Sequence, residues 1–249
     1  MNSGLKFQFS EPEQSLAEFV YCFSFLQNFS SQESAVVIPN GKIDLMFSIT
    51  ATGQLQIVLL GLETKPKHID QGVYNFYSVS FHPLAVEYLL PCSIAELTNS
   101  GKILPSDFWG IEMRDLESFE KFCLAMIRKI HSLLPEKVDK RKRELFKLIS
   151  NTNGEISVSE LSDKICWSQR QINRYFKQHL GLSLKSYCRI LRFQASLAHI
   201  KDGKLYPKLN FTDQSHFIKE VKQFSGVSPK ELYKNKNDRF LQFLTYNEQ

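Results

Sequence analysis

The chain has 249 residues, 43% of them hydrophobic and 12% aromatic, which suits one large or two modest globular domains and excludes a disordered chain. No stretch approaches the roughly 18 consecutive apolar residues of a membrane helix, and the N-terminus lacks the pattern of a signal peptide. Five widely spaced cysteines without a CxxC pair and six histidines without an HxH or HExxH grouping predict neither a disulfide framework nor a metal site. We therefore expect a cytoplasmic protein with no metal and no other cofactor.

Charge is divided unevenly along the chain. Residues 1–135 contain 9 Lys and Arg against 14 Asp and Glu, a net charge of −5, whereas residues 136–249 contain 22 against 12, a net charge of +10. Positive charge concentrated on one domain is typical of proteins that bind polyanions, because neutralised phosphates release condensed counterions. A lysine-rich solvated surface is the alternative, and charge alone does not separate the two.

The N-terminal part has the pattern of a sheet covered by helices. Residues 36–49, 53–62 and 73–81 are β-branched and apolar between Pro, Gly and Asn turn signals, which predicts strands. Residues 83–90 and about 115–134 have apolar spacings of three and four, which predict helices. This part shows no nucleophile beside a base, no Gly-rich phosphate loop and no carboxylate pair. We therefore predict no catalytic residues and no enzyme activity.

Two features of this part remain open between function and structure. Phe47, Phe76 and Phe81 suit a hydrophobic ligand pocket or an ordinary core equally well, so no ligand-binding residue is assigned. Cys22 and Cys92 are either redox sensors or inert buried thiols.

A domain boundary is predicted at LLPEKVDKRKRELF. Pro135 interrupts an apolar helical pattern there, and the charge-dense stretch after it is typical of an exposed linker or linker helix. We predict an α+β domain at residues 1–135, a linker at 136–150 and a helical domain at 151–249. The KRKR run at residues 140–143 could contact phosphate or could simply be solvated.

The C-terminal part is predicted to be helical throughout. Ser157, Ser168, Ser183 and Ser228 each precede an apolar-periodic segment, as N-cap residues do, and Pro229 stands at a first helical position. The predicted helices cover residues 144–152, 157–165, 168–180, 183–201, a segment capped by Thr212 or Asp213 that ends at 226, and a last one from 228.

One unit of this part occurs twice. A shift of 45 residues places SQRQINRYFKQHLGLSLK, from Ser168, over DQSHFIKEVKQFSGVSPK, from Asp213, with six identities in eighteen positions. In the first copy, a two-turn helix, a tight turn and a longer helix make the helix-turn-helix arrangement. Its predicted small core consists of Ile156, Val158, Leu161, Ile165, Ile172, Tyr175 and Phe176.

The opposite face of the longer helix supplies hydrogen-bond donors and holds no acid. It consists of Gln169, Arg170, Asn173, Arg174 and Lys177. Such a face suits the DNA major groove, where Arg recognises guanine and Asn or Gln recognises adenine. The helix N-terminus at Ser168 suits a backbone phosphate. A polar face that only meets water is the alternative, and the second copy on a basic domain favours DNA.

A long helix is predicted to join the two copies. Ser183 to Lys201 is nineteen residues, about 28 Å at about 1.5 Å per residue, comparable with the roughly 34 Å between successive major-groove faces. Two recognition helices in one chain could therefore read adjacent grooves. Arg189 and Arg192 on this helix either contact the intervening DNA backbone or are solvated.

Residues 156–233 resemble the DNA-binding domain of AraC/XylS-type transcriptional regulators. The resemblance rests on S-x-x-x-I-x-R-x-F-K from Ser168, on F-x-D-Q-S-H-F from Phe211 and on G-V-S-P from Gly226. It implies that Arg170, Asn173 and Arg174 face the groove in the first copy. Their counterparts in the second copy are Gln214, Ser215 and Lys219, and the repeat places Lys222 over Lys177.

The N-terminal part is similar to sensor domains of some of these regulators. The similarity lies in IPNGKIDLMF at 38–47, SVSFHPLAVEYLL at 78–90 and DFWG at 107–110. It implies an α+β protein with a small, β-barrel-like (cupin-like) N-terminal domain carrying helices, and an all-α C-terminal domain with two helix-turn-helix units. It also implies that the N-terminal domain binds a small-molecule effector or pairs two chains into a homodimer, and that the regulator contacts RNA polymerase.

The second copy departs from the family pattern. The segment before its recognition helix is KDGKLYPKLNF. In this segment Pro207 disfavours a helix by about 3 kcal/mol, and Asn210 occupies the position of the family's usual glycine. We expect the first helix of this copy to be truncated or replaced by a loop. Base readout is then expected mainly from the first copy.

The leading hypothesis is a sequence-specific, double-stranded-DNA-binding transcriptional regulator, either activator or repressor, although activation is what the family implies most often. One alternative is a small-molecule binding protein or barrel-class enzyme with an accessory basic domain. Another is a nonspecific architectural DNA binder, which would show little penalty for a change of DNA sequence.

Overall fold

The structure is a computed structural model, and it describes residues 5–28, 35–69, 74–90, 92–206, 211, 213–235 and 240. The chain forms two compact units. The first contains the described residues of 1–32, 42–62 and 71–138, and the second contains those of 33–41, 63–70 and 139–249. No helix in these described segments is long and apolar enough to cross a membrane.

An antiparallel sheet forms the centre of the first unit. The strands among the described residues are β1 (Leu5–Ser10), β2 (Val20–Asn28), β3 (Ala35–Val37), β4 (Ile43–Ile49), β5 (Leu55–Leu60), β6 (Lys67–Ile69), β7 (Tyr74–Phe81) and β8 (Gly101–Leu104). Six of them pair in the order β1-β2-β7-β4-β5-β8, with β1 and β8 at the two ends. The sequence predicted β4, β5 and β7, whereas β1, β2 and β8 were not predicted.

Helix α2 (Phe119–Leu133) covers this sheet, after the short helix α1 (Ala85–Tyr88) and three 3-10 turns. Alternation along β4 buries every second side chain, and its Phe47 packs against Phe122 of α2 with ring centroids 5.4 Å apart. Tyr77 donates a hydrogen bond to the Leu116 carbonyl oxygen at 2.8 Å, which satisfies a buried hydroxyl. These contacts fix α2 on the sheet face.

Six helices form most of the described part of the second unit. They are α3 (Lys140–Asn151), α4 (Val158–Ile165), α5 (Gln169–Leu180), α6 (Leu184–Lys201), α7 (Gln214–Ser225) and α8 (Pro229–Lys234). Together with the antiparallel sheet of the first unit, they confirm the α+β class with a helical C-terminal part. The predicted linker, residues 136–150, contains most of α3, whose N-cap Asp139 accepts a hydrogen bond from the Arg141 backbone N–H.

The second unit also includes two segments that the sequence analysis assigned to the domain at 1–135. Strands β3 and β6 pair with each other, Val36 opposite His68, and Val36 forms a further bridge with Phe240. The Gln194 side chain of α6 donates a hydrogen bond to the Pro39 carbonyl oxygen. The physical reason for the difference is a break in the stretch 36–49, where Gly41 adopts φ +71°.

Capping residues explain where the helices of the second unit begin and end. Serines 157, 168, 183 and 228 cap α4, α5, α6 and α8, as predicted, and Asp213 caps α7. Helices α5 and α7 both end at a left-handed glycine, Gly181 and Gly226. The sequence repeat is therefore a structural repeat of a capped twelve-residue helix, a glycine stop and a serine-capped helix.

Candidate nucleic-acid interface

Helices α4 and α5 form a compact helix-turn-helix. The turn between them is tight because Cys166, the C-cap of α4, adopts left-handed φ 56°, and Ser168 caps α5 two residues later. Leu161 and Ile172 are fully buried, and Phe176 is buried with them. Burial of these side chains, at about 25 cal/mol per Å² of apolar area, holds α5 rigidly against α4.

The predicted polar face of α5 is exposed in full. All five of its residues lie on the surface, as does the N-cap Ser168: Gln169, Arg170, Asn173, Arg174 and Lys177. Asn173 donates a hydrogen bond from its side-chain amide to the Gln169 carbonyl oxygen at 3.0 Å, which restrains its orientation. The helix offers a groove-sized, acid-free surface on a rigid support.

Helix α7 presents the corresponding surface of the second copy. Gln214, Ser215, Lys219 and Lys222 are exposed, whereas Phe217, Val221 and Phe224 face inward. Gln214 donates a hydrogen bond from its side chain to the Leu205 carbonyl oxygen at 3.0 Å, so its amide is already engaged with the preceding segment.

The segment before α7 differs from its counterpart in the first copy. Residues 203–206, which correspond to the start of α4, are not helical in the structure, and Gly203 adopts φ +74°. Pro207, Asn210 and Thr212 lie outside the described residues, so the argument built on Pro207 and Asn210 stays a prediction. The first copy is thus the complete helix-turn-helix.

Helix α6 sets the separation between the copies. It has 18 residues, about 27 Å at about 1.5 Å per residue, within a few ångströms of the predicted length. It contacts α5 near its start and α7 and α8 further along. A helix packed in this way holds the two candidate recognition helices at a fixed distance.

The contact between α6 and α7 contains a buried ion pair that the sequence analysis missed. Arg189 of α6 donates to Glu220 of α7, with Nε to Oε1 at 2.8 Å and Nη2 to Oε1 at 2.5 Å, and to Gln223 at 2.6 Å. Glu220 is only 4% exposed. Arg189 therefore braces α7 and is not simply solvated, and its contact with the DNA backbone stays a prediction.

A signal for this pair was present in the sequence. Glu220 follows Phe217 by three residues and precedes Phe224 by four, so it occupies the apolar stripe of α7. An acid in that stripe indicates a buried cationic partner, because an unpaired buried carboxylate is strongly disfavoured. His216 also lies close, with Nε2 3.6 Å from Glu220 Oε1.

A second polar cluster lies in the first unit. Lys42 Nζ is 3.3 Å from His82 Nδ1 and 4.7 Å from the centre of the Tyr21 ring, and Ser80 donates a hydrogen bond to the Asp44 carboxylate. Burial, reinforced by the Lys42 charge, lowers the pKa of His82 to about 3. Burial also lowers the pKa of Lys42 to about 8 and raises that of Asp44. The cluster couples three strands of the sheet through polar contacts.

The structure answers the two open questions about the N-terminal part for three of the five residues; Cys92 and Phe76 are half-buried, and the alternatives for these two stay open. Cys22 is buried, and burial raises its pKa to about 12, so its thiol stays protonated and unreactive near neutral pH. Phe47 and Phe81 are fully buried, with Phe81 packed edge-on against Trp109 at 6.0 Å. Both aromatic side chains belong to the core of the unit.

Comparison with known proteins identifies each half separately. Residues 161–235 match a family described as a helix-turn-helix domain, and residues 8–101 match a domain of unknown function (DUF6597). The arabinose operon regulatory protein of Escherichia coli (strain K12) is 25% identical over 128 residues, 49% of this chain and 44% of that protein. The match thus spans less than half the length of this curated relative.

Solved structures of ToxT from Vibrio cholerae are similar at low identity. One is the structure from strain O395 bound to (E)-4-(8-methylnaphthalen-1-yl)but-3-enoic acid, with a TM-score of 0.45 at 13% identity. The alignment covers 91% of this chain and 98% of the ToxT chain. Another, at 1.65 Å resolution, has a TM-score of 0.42 at 12% identity and covers 92% and 98%. The matches to the helix-turn-helix family and to the arabinose regulator support the resemblance found for residues 156–233, whereas the resemblance of the N-terminal part to sensor domains stays a prediction.

Proposed function

We propose, from the match to a helix-turn-helix family and the similarity to the arabinose operon regulatory protein, that this protein is a sequence-specific transcriptional regulator of duplex DNA. The observation that carries the proposal is the exposed, acid-free face of α5, which is fixed by its own core and lies in the part of the chain with net charge +10. A rigid helix with Arg, Asn and Gln on its surface has the donors that the major groove reads.

We assign the leading role in base readout to Arg170, Asn173 and Arg174, with Gln169 and Lys177 beside them. Helix α7 adds Ser215, Lys219 and Lys222 at the second groove, and the engaged amide of Gln214 makes it a positioning group. Among the described residues, α5 follows a complete first helix, α4, whereas residues 203–206 before α7 are not helical; we therefore propose that α7 contributes more affinity than sequence preference.

The experiment that tests this function is selection of binding sites from a randomised duplex pool with the full-length protein. An enriched motif that persists as salt is raised supports specific regulation, whereas binding without enrichment supports the architectural alternative. Arg170→Ala should then weaken binding to the selected site by about 1 to 3 kcal/mol and relax one base position.

The matched control for that variant is Arg128→Ala, because Arg128 is an exposed arginine of α2 in the first unit. It removes the same charge and should leave the selected motif unchanged. An equal loss of affinity for every duplex with Arg170→Ala would refute base readout by this residue.

The remaining parts of the function rest on the family resemblance. We propose that the protein acts in the cytoplasm, that the first unit binds a small-molecule effector or pairs two chains, and that the DNA-bound protein contacts RNA polymerase. Ligand binding to the native state must raise its melting temperature. A melting screen against metabolites therefore tests the effector, and sedimentation at two protein concentrations tests the homodimer.

A further inference from the structure

The first turn of α3 is built almost entirely of cations. Lys140, Arg141, Lys142 and Arg143 occupy its first four positions, and this turn contains no acid. Cations are disfavoured at a helix N-terminus because the macrodipole is positive there. Asp139, the N-cap, offsets only part of this charge through its ion pair with Arg141 at 2.8 Å. The stability of α3 therefore does not explain why these four residues are basic.

Two of these cations rest on aromatic rings next to the candidate recognition helix. The Arg141 guanidinium lies 5.3 Å from the centre of the Trp167 ring, and Lys142 Nζ lies 5.5 Å from that of Tyr175. Trp167 and Tyr175 contact each other at 5.5 Å. Trp167 immediately precedes Ser168, the N-cap of α5, so the basic turn stands beside the N-terminal end of α5.

The position of α5 then determines what this basic turn meets. A recognition helix enters the major groove with its N-terminal residues toward the base edges, and its ends pass close to the phosphates that border the groove. Lys140, Arg141 and Arg143 are exposed, and the contact of Arg141 with Trp167 places the turn that carries them beside that end. Exposed cations at the border of a groove-bound helix face the sugar-phosphate backbone.

We propose that the basic turn of α3 (residues 140–143) is a phosphate clamp, which binds the DNA backbone beside the base pairs read by α5. This inference rests on the proposed function, because it places α5 in the major groove. Trp167 acts as a platform that holds Arg141 toward the phosphates through a cation–π contact. The clamp contributes affinity and orientation but no base discrimination.

The test is the salt dependence of binding by the full-length protein. The variant Lys140→Gln/Arg141→Gln/Arg143→Gln removes three cations, and each lost phosphate contact should make the slope of log K against log salt shallower by about 0.9. Three lost contacts give a change of about 2.7, so the fall in affinity between 50 and 200 mM salt becomes roughly 40-fold smaller than for the unmodified protein. The selected motif should stay the same.

A matched variant removes equal charge from the first unit. Lys102→Gln/Arg128→Gln/Lys129→Gln changes the net charge by the same amount and should leave the slope close to that of the unmodified protein. The double variant Lys140→Gln/Arg143→Gln keeps the contacts of Arg141 with Asp139 and Trp167, and it should give a change of about 1.8. Circular dichroism should show unchanged helix content in all three variants.

The outcomes separate this inference from the proposed function. If the unmodified protein enriches a motif but the clamp and control variants have equal slopes of log K against log salt, the phosphate clamp is refuted and the proposed function is not. A changed motif in the clamp variant also overturns it, because that result means base contact. If the unmodified protein enriches no motif, the proposed function is refuted. If it binds no duplex at all, both the proposed function and the phosphate clamp are refuted.

Discussion

The ion pair between Arg189 and Glu220 supports a quantitative prediction about the anchoring of α7. Arg189→Ala leaves a carboxylate whose side chain is 5% exposed without its charge partner. Loss of one partner from a buried pair costs about 3 to 5 kcal/mol. Since the Arg189 side chain is itself 29% exposed, we expect the lower end, about 3 kcal/mol.

Replacement of both partners should behave differently. Arg189→Met/Glu220→Leu removes the charge and its desolvation penalty together, and apolar replacements of a buried pair are often neutral. We expect this double variant to lie within about 1 kcal/mol of the unmodified protein. Glu220→Gln keeps a hydrogen-bond acceptor for Arg189 and should cost about 1 to 2 kcal/mol, the worth of a charge-assisted bond over a neutral one.

Urea unfolding followed by the helix signal in circular dichroism measures these differences. With a slope of about 2 kcal/mol per molar urea, a loss of 3 kcal/mol lowers the midpoint by about 1.5 M. Hydrogen exchange should show the loss of protection concentrated in α7. If Arg189→Ala stays within about 0.5 kcal/mol of the unmodified protein, or if the double variant is as unstable as the single one, the pair does not brace α7.

Two further predictions concern the turn after α3 and the cluster in the first unit. Gly154→Ala should lower stability by at least about 2 kcal/mol, because Gly154 adopts φ +74° and a Cβ there would lie 2.5 Å from the Cys188 carbonyl oxygen. Gly53→Ala, at φ +76° with open space around it, is the control and should cost only about 1 kcal/mol in a thermal melt. His82 stays neutral in the fold, with its pKa lowered to about 3 by burial and by Lys42, whereas unfolded His82 takes up a proton below about pH 6.5. Stability should therefore fall by about 1.2 kcal/mol between pH 7.0 and 5.5 through this group, and a urea midpoint that falls equally in His82→Asn would contradict the reasoning.

Local signals in the sequence predicted the candidate interface well. Serine caps and glycine stops are short-range devices, so the bounds of α4, α5, α6 and α8 followed from a few residues each. The exposed face of α5 followed from helical periodicity alone, because the polar residues at 169, 170, 173, 174 and 177 share one side.

Features that depend on distant parts of the chain were not predicted. Strands β1 and β2 pair with Phe7 opposite Leu26, and the local sequence pattern does not predict this pairing because strand preference depends on packing against distant residues. The pairing of Arg189 with Glu220 spans 31 positions and required the packing of α7 on α6. The basic turn of α3 was visible as KRKR, but its place beside α5 depends on where Trp167 lies.

The assignment of β3 and β6 to the second unit has a consequence for the order in which this unit is synthesised and folded. Ile38 and Val36 are buried in a unit whose other members, from residue 139 onward, leave the ribosome a hundred residues later. That unit therefore completes its folding only after its helices from residue 139 onward have been synthesised, and residues 139–249 alone lack two of its strands. A segment of residues 139–249 produced alone would therefore lack the paired strands β3 and β6, and we expect it to unfold at a lower temperature than the full-length protein.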